Sequence, residues 1–256
     1  MRLSKEISDW LKSYSEKNGN MIFVVGVSGG IDSALVSTLC AMTGIETITV
    51  SLPIHQEESQ IKRARIHMEW LKSNFKNTES IELDLTSTFE EFKYKMNNFD
   101  SELGFANSRS RLRMVTLYQI ASSRGGLVVG TGNKIEDFGV GFFTKYGDGG
   151  VDISPIADLT KTEVRKLAIE CGVDQSILDA KPTDGLWEDE RTDEEQLGAT
   201  YEDLEWAMEY IEGKYRYRLD EQKENILKIY SEFNRRNIHK MIPIPVFKKN
   251  KDNKCT

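Results

Sequence analysis

The chain has 256 residues, 39% of them hydrophobic, which is enough to bury one sizeable core, and a single domain spanning 1-256 is expected at this length. A formal net charge of −7 argues against a long nucleic-acid footprint, because binding many phosphates requires a field of Lys and Arg. No apolar run approaches the roughly 18 residues that span a bilayer, and Met1 to Glu6 lacks the apolar stretch of a secretory signal. Cys40, Cys171 and Cys255 are few, odd in number and far apart, without disulfide or metal-ligand spacing. The expectation is a cytoplasmic protein with no nucleic-acid or membrane partner.

Leu3, Ile7, Trp10, Leu11 and Tyr14 recur at helical spacing, so the chain opens with an amphipathic helix that stops at Asn18-Gly19-Asn20. Met21 to Val27 is a short apolar run, read as a central parallel strand buried on both faces. A helical pattern follows from Asp32 to Met42, then a β-branched strand from Glu46 to Leu52. A helix over Glu57 to Lys72 turns Ile61, Ala64, Met68 and Leu71 inward, and Ile81-Glu82-Leu83 reads as a third strand. A helix over Ala106 to Ser123 precedes the strand Gly126 to Gly130, and further helices are expected over 160–170, 192–212 and 220–236. Strands alternating with helices predict an α/β fold, a doubly wound parallel sheet with helices on both faces. Lys181 to Glu190 is polar, interrupted by Pro and Gly, and reads as a mobile segment able to close over a site; the tail Lys248 to Lys254 reads as frayed. Trp10, Trp70 and Trp206 are expected to pack on the core, with Trp187 in the mobile segment. His55 and His67 are assigned surface or capping roles.

The first strand feeds directly into Ser28-Gly29-Gly30-Ile31-Asp32-Ser33. Two adjacent glycines let backbone N–H groups approach a phosphate, and the helix N-terminus that follows adds partial positive charge. The Gly-Lys-Ser/Thr of an ordinary P-loop is missing, so terminal phosphate transfer by that machinery is not expected. An acid at Asp32 beside polyphosphate makes sense if it holds Mg²⁺. Gly130-Thr131-Gly132-Asn133-Lys134-Ile135-Glu136 opens on the same edge of the sheet and offers Glu136 as a second metal acid, although alone it would be an ordinary strand-to-helix connection. Phe142 to Asp152 joins aromatics, Lys145, Asp148, Asp152 and three glycines. Its rings can stack on a heteroaromatic ligand, or it can be a surface hairpin built on Asp-Gly turn chemistry.

Ser-Gly-Gly-x-Asp-Ser after a first strand resembles the pyrophosphate loop of the ATP pyrophosphatase superfamily, which splits ATP between its α and β phosphates. The wider set, namely Ser28 to Ser33, Asn107 to Met114 with Leu117-Tyr118, Gly130 to Glu136, Thr144 to Asp152, and His239-Lys240, resembles blocks that occur in this order in the NAD synthetase family. That resemblance implies a Rossmann-like, adenine nucleotide alpha hydrolase-like fold, and a ligase that amidates deamido-NAD with ammonia through an adenylated intermediate, giving NAD⁺, AMP and pyrophosphate. It implies ATP contacts at Gly26, Val27, Ser28, Gly29, Gly30, Ile31, Asp32, Ser33, Thr131, Lys161 and Thr183, with Mg²⁺ on Asp32 and Glu136. Arg111, Lys145, Asp152, His239 and Lys240 match deamido-NAD contacts, and Asp148 matches an acid near bound ammonia. On an α-helix Arg109 and Arg113 share a face while Arg111 points about 200° away, so the three cannot form one clamp. The resemblance also implies a homodimer, and the chain has no length for a glutamine-hydrolysing domain, so free ammonia is the expected nitrogen donor. A related adenylating enzyme acting on xanthylate or tRNA, and a nucleotide-binding sensor without catalysis, are the competing readings; the two metal acids favour catalysis.

Overall fold

The computed structural model describes residues 2–19, 21–183, 185–186 and 191–248. Trp187, the acids Glu188 to Glu190, Cys255 and the tail beyond Lys248 lie outside the described residues. Four parallel strands, β1 (Ile22–Gly26), β2 (Thr47–Ser51), β3 (Thr78–Glu82) and β4 (Gly126–Val129), lie in the order β3-β2-β1-β4. Val24 sits opposite Ile48 on one side and Val128 on the other, and a parallel bridge from Val129 to Ile153 extends the sheet beyond β4.

The alternation along β1 explains why helices cover both faces. Phe23 and Val25 point into a core with α1 (Arg2–Lys17), α2 (Ile31–Met42), α6 (Lys161–Glu170) and α7 (Gln175–Leu178). Val24 points the other way, into a core closed by Phe89 of α4 (Thr86–Lys95) and by Phe105 and Ala121 of α5 (Glu102–Arg124). A third cluster joins Ile135 and Val140 to α8 (Asp193–Leu197), α9 (Tyr201–Ile211) and α10 (Glu221–Met241). From β1 the chain winds outward to β2 and β3, then returns to place β4 on the other side of β1. The carboxyl ends of β1 and β4 therefore form the switch point at which open α/β sheets bind ligands.

Several expectations need correction. The single helix over 192–212 is two helices, because Gly198 takes a left-handed conformation (φ 72°) after α8 and Thr200 caps α9 afresh. The third strand is 78–82 rather than 81–83; as an edge strand it carries polar Thr-Glu-Ser and gives no apolar run. Helix α5 begins at Glu102, four residues before the expected start, because Ser101 caps Gly104 N–H within what reads as a turn. Trp10 is half-exposed rather than packed in the core. His67 is fully buried, not at the surface: its Nε2 meets Ser37 Oγ at 2.8 Å and its ring stacks on Trp70. His55 is exposed and pairs with Glu90 at 2.6 Å, in keeping with a surface role.

Candidate functional site

Beyond the carboxyl end of β1, Ser28 to Ser33 forms a tight loop held by its own hydroxyls. Ser33 Oγ accepts from Ser28 N–H at 3.2 Å and donates to the Gly30 carbonyl at 2.9 Å, while Ser28 Oγ accepts from Gly30 N–H. Gly29 sits at φ 86°, and a Cβ there would lie 2.4 Å from the Gln60 carbonyl oxygen, so only glycine fits against α3 (Glu58–Asn74). The loop lines a cavity of about 290 Å³ whose walls also include Thr131, Glu136, Asp148, Lys161 and Thr183.

Beyond β4, Asn133 is fully buried and caps a π-helix, Lys134–Val140, by accepting from the N–H groups of Ile135 and Glu136. Its amide also donates to Asp32 Oδ1 at 3.1 Å, tying the two loops together. Short π-helical turns are often found at functional sites, and this one presents Glu136 toward Asp32. Lys161 Nζ lies between the two acids, 2.6 Å from Asp32 Oδ2 and 2.9 Å from Glu136 Oε1. Lysine is an unfavourable choice for the first turn of a helix, where the dipole prefers acids, yet α6 begins with it after a Thr160–Glu163 capping box. The cap fixes the helix start and so aims Lys161 inward. Tyr201 OH donates to Glu136 Oε1 and reaches Asp193 Oδ2 at 3.2 Å, and its ring lies under the Lys161 ammonium.

Burial works against every charge in this group, and the ion pairs decide the outcome. Burial drives the Asp32 carboxyl up, although Lys161 opposes it. For Glu136 the same burial is overcome by Lys161 and the Tyr201 hydroxyl, so its pKa falls. Burial disfavours the Lys161 ammonium, but the two carboxylates hold it charged with a raised pKa. The two acid oxygens thus converge on one positive centre.

Asp148 also lines the cavity. Its Oδ1 accepts from Ser110 Oγ at 2.7 Å and from Thr144 N–H at 2.9 Å. The residue is open to the cavity space yet deeply recessed, and that recess raises its carboxyl above the ordinary range despite both hydrogen bonds. The Thr144 to Gly149 stretch is a compact turn with no strand on either side, so the hairpin expected as one alternative is not formed; only the turn is. Its aromatics divide: Phe142 lines the cavity, whereas Phe143 is covered by Lys240, whose ammonium sits 5.2 Å from the ring centre.

Arg111, Lys145, Asp152, His239 and Lys240 do not line this cavity. Arg111 Nε reaches the Lys145 carbonyl at 3.3 Å, Lys145 Nζ donates to the His239 carbonyl at 2.7 Å, and Lys240 Nζ holds the Gly141 and Phe143 carbonyls. These four form one surface group across α5, the 144–149 turn and α10. Asp152 stands apart from them, accepting from Tyr118 OH and from Val128 N–H. Arg109 and Arg113 do face away from Arg111: Arg109 donates to the Leu186 carbonyl and Arg113 to the Leu52 carbonyl and Gln56. Thr183 Oγ1 accepts from Gly185 N–H and donates to the Arg191 carbonyl, while Asp184 lies outside the described residues.

Tyr201 escapes sequence reading because its partner Glu136 is 65 residues away, and Ser110, though within the block Asn107 to Met114, has its partner Asp148 38 residues on. Asn133 had a local signal, an amide side chain immediately before a helical segment.

The family model described as NAD synthase matches residues 3–251. The NH₃-dependent NAD⁺ synthetase of Methanococcoides burtonii is 40% identical over 219 residues, 83% of this chain and 81% of that protein. A structure of NMN synthetase from Francisella tularensis matches with a TM-score of 0.85 at 30% identity, covering 96% of this chain and 97% of the other. An NH₃-dependent NAD synthetase from Campylobacter jejuni shares the fold, with a TM-score of 0.79 at 22% identity over 96% of this chain and 98% of the other. A glycine loop and a paired-acid π-helix meeting at the switch point of the sheet, with a family match along nearly the whole sequence, make this chain a member of the NAD synthase family.

Proposed function

We propose that the chain amidates deamido-NAD with ammonia at the expense of ATP, releasing NAD⁺, AMP and pyrophosphate through an adenylated intermediate. The observation that carries this reading is the pair Asp32 and Glu136, which share one cation beside a glycine loop that has no P-loop lysine. A carboxylate is a poor electrophile, and adenylation supplies AMP as its leaving group. The loop Ser28 to Ser33 and the N-terminus of α2 receive the phosphates, with Gly26 and Val27 shaping the approach. Thr131, Lys161 and Thr183 complete the nucleotide site.

Asp32 and Glu136 are the residues that would hold a divalent cation, since their oxygens Oδ2 and Oε1 already converge on one positive group, the Lys161 ammonium, which would give up its place between them for the nucleotide. Mg²⁺ on these acids would offset their repulsion of the phosphates. Arg111, Lys145, Asp152, His239 and Lys240 bind and orient the acceptor. Its carboxylate oxygen attacks the α-phosphorus, the α–β bond breaks, and pyrophosphate leaves with the electron pair. Ammonia then attacks the acyl carbon, AMP departs with the former carboxylate oxygen, and Asp148 holds the nitrogen donor and helps to strip its water.

The 1-256 chain works in this reading as one domain, paired in a cytoplasmic homodimer with the acceptor at the subunit contact. Exposed Arg111 and His239, both in contact with Lys145, support placing the acceptor at the surface. Among the described residues no helix is long and apolar enough to cross a membrane.

A second reading keeps the chemistry and exchanges the acceptor for nicotinic acid mononucleotide. It is favoured by the likeness to the Francisella tularensis NMN synthetase along 96% of the chain. Protein incubated with ATP, Mg²⁺, ammonium and each acceptor separately distinguishes the two. We expect amide, AMP and pyrophosphate in equal amounts, with deamido-NAD preferred; preference for the mononucleotide installs the second acceptor, and ADP as the product overturns both.

A further inference from the structure

We infer that Arg63 is a further binding residue of this site, one that contacts the pyrophosphate end of ATP and stabilises it as it leaves. The inference rests on the reading of Ser28 to Ser33 as the phosphate loop. Among the described residues, four basic ones line the cavity: Arg63, Arg113, Lys161 and Lys181. Lys161 is held by Asp32 and Glu136. Arg113 spends its Nε on the Leu52 carbonyl at 2.9 Å and Nη2 on Gln56 at 2.8 Å, and Lys181 is exposed. Arg63 differs from all three.

Its guanidinium makes two contacts, Nε to the Gly29 carbonyl and Nη1 to Ser59 Oγ, both 3.3 Å and both to neutral oxygens. That is longer than the usual N–H···O range, which ends at about 3.2 Å. Among the described residues no carboxylate pairs with it within salt-bridge distance, although Arg65, two positions on, faces outward and pairs with Glu82 and Glu58. A half-buried guanidinium resting on the phosphate loop with weak neutral partners is set to exchange them for a polyanion.

The placement is rigid. Val27, Ala64 and Met68 form a small buried cluster beneath the loop, and the Gly29 Cα approaches α3 so closely that an added Cβ would lie 3.2 Å from Ala64 N and 3.3 Å from Arg63 Cβ. Arg63 therefore flanks the loop on its α3 side, with Lys161 on the side of the paired acids. When the α–β bond of ATP breaks, negative charge grows on the departing pyrophosphate, and a planar donor fork there forms charge-assisted hydrogen bonds that strengthen with that charge.

The test is equilibrium binding of magnesium pyrophosphate and, separately, of AMP to the wild-type protein and to R63Q, R63K and R65Q, each checked for an unchanged melting temperature. Loss of one charge-assisted contact predicts pyrophosphate binding about 10-fold to 100-fold weaker in R63Q. Partial recovery is expected in R63K, no change in R65Q, and AMP binding within about 2-fold throughout. Equal pyrophosphate binding by wild type and R63Q, or equal weakening toward AMP, overturns the role of Arg63 alone. Failure of the wild-type protein to bind pyrophosphate overturns the phosphate-loop reading as well. If R63Q does not fold, R63K carries the comparison, and wild-type-like R63K binding would then contradict a forked contact.

Discussion

Asp148 joins two properties that ordinarily oppose each other, since it is recessed enough for its carboxyl to be raised yet accepts two hydrogen bonds that favour its charge. A carboxylate held this way is suited to a small cation, because an ammonium ion supplies the charge that burial withholds. D148N keeps the shape and removes the charge. It should raise the apparent KM for ammonium by about 10-fold or more while leaving ATP binding near wild type, as steady-state kinetics would show. Unchanged KM and kcat would remove Asp148 from the nitrogen site. Wild-type activity should also fall on acidification at a pH above the ordinary carboxylate range, because the raised carboxyl takes up a proton early. At this scale the sequence was most legible where chemistry is local: Ser28 to Ser33, and Glu136 within its own segment. Lys161 carried a further clue as a buried cation opening a helix. Tyr201 carried none, since its bond to Glu136 joins positions 65 residues apart.

Helices α2 and α3 are joined by a buried polar contact whose cost depends on pH. Ser37 Oγ donates within α2 to the Ser33 or Ala34 carbonyl, which leaves the His67 Nε2–H to donate to it; His67 Nδ1 then has no partner in the buried interior. Burial pushes the His67 pKa down to about 4, against an ordinary value near 6.5. The unfolded chain therefore takes up the proton first as pH falls. Stability from the neutral ring is complete above about pH 6.5 and is lost as pH drops toward about 4. Between about pH 7.5 and about pH 5 wild type should lose of order 2 kcal/mol relative to H67Q, read from urea midpoints, and parallel curves would contradict the assignment. The elements themselves were legible where apolar period and length agreed, as in β1, α2 and α5. Edge strand β3, helix α4 with Phe89 as its one buried residue, and the break at Gly198 were not, because polar composition or a single backbone torsion decides them.

At the scale of the molecule, the order β3-β2-β1-β4 accounts for the site. Two loops far apart in sequence, Ser28 to Ser33 and Gly130 to Glu136, leave adjacent strands at the switch point, and the Asn133–Asp32 contact closes the gap between them. The alternation of strands and helices foretold the doubly wound sheet, but not which strand pairs meet, since that depends on the chain returning past β1 after β3. Arg111, Lys145, His239 and Lys240, the residues proposed for the acceptor, gather on a surface outside the cavity of the glycine loop, which would suit a long substrate whose reactive end alone reaches the α-phosphorus. The central claim is that an acceptor carboxylate is adenylated before nitrogen attacks, and an isotope test reads that step directly. Deamido-NAD labelled with heavy oxygen in its carboxylate should yield AMP carrying one labelled atom and unlabelled pyrophosphate. Label in a released phosphate or pyrophosphate, or AMP without label, would contradict it.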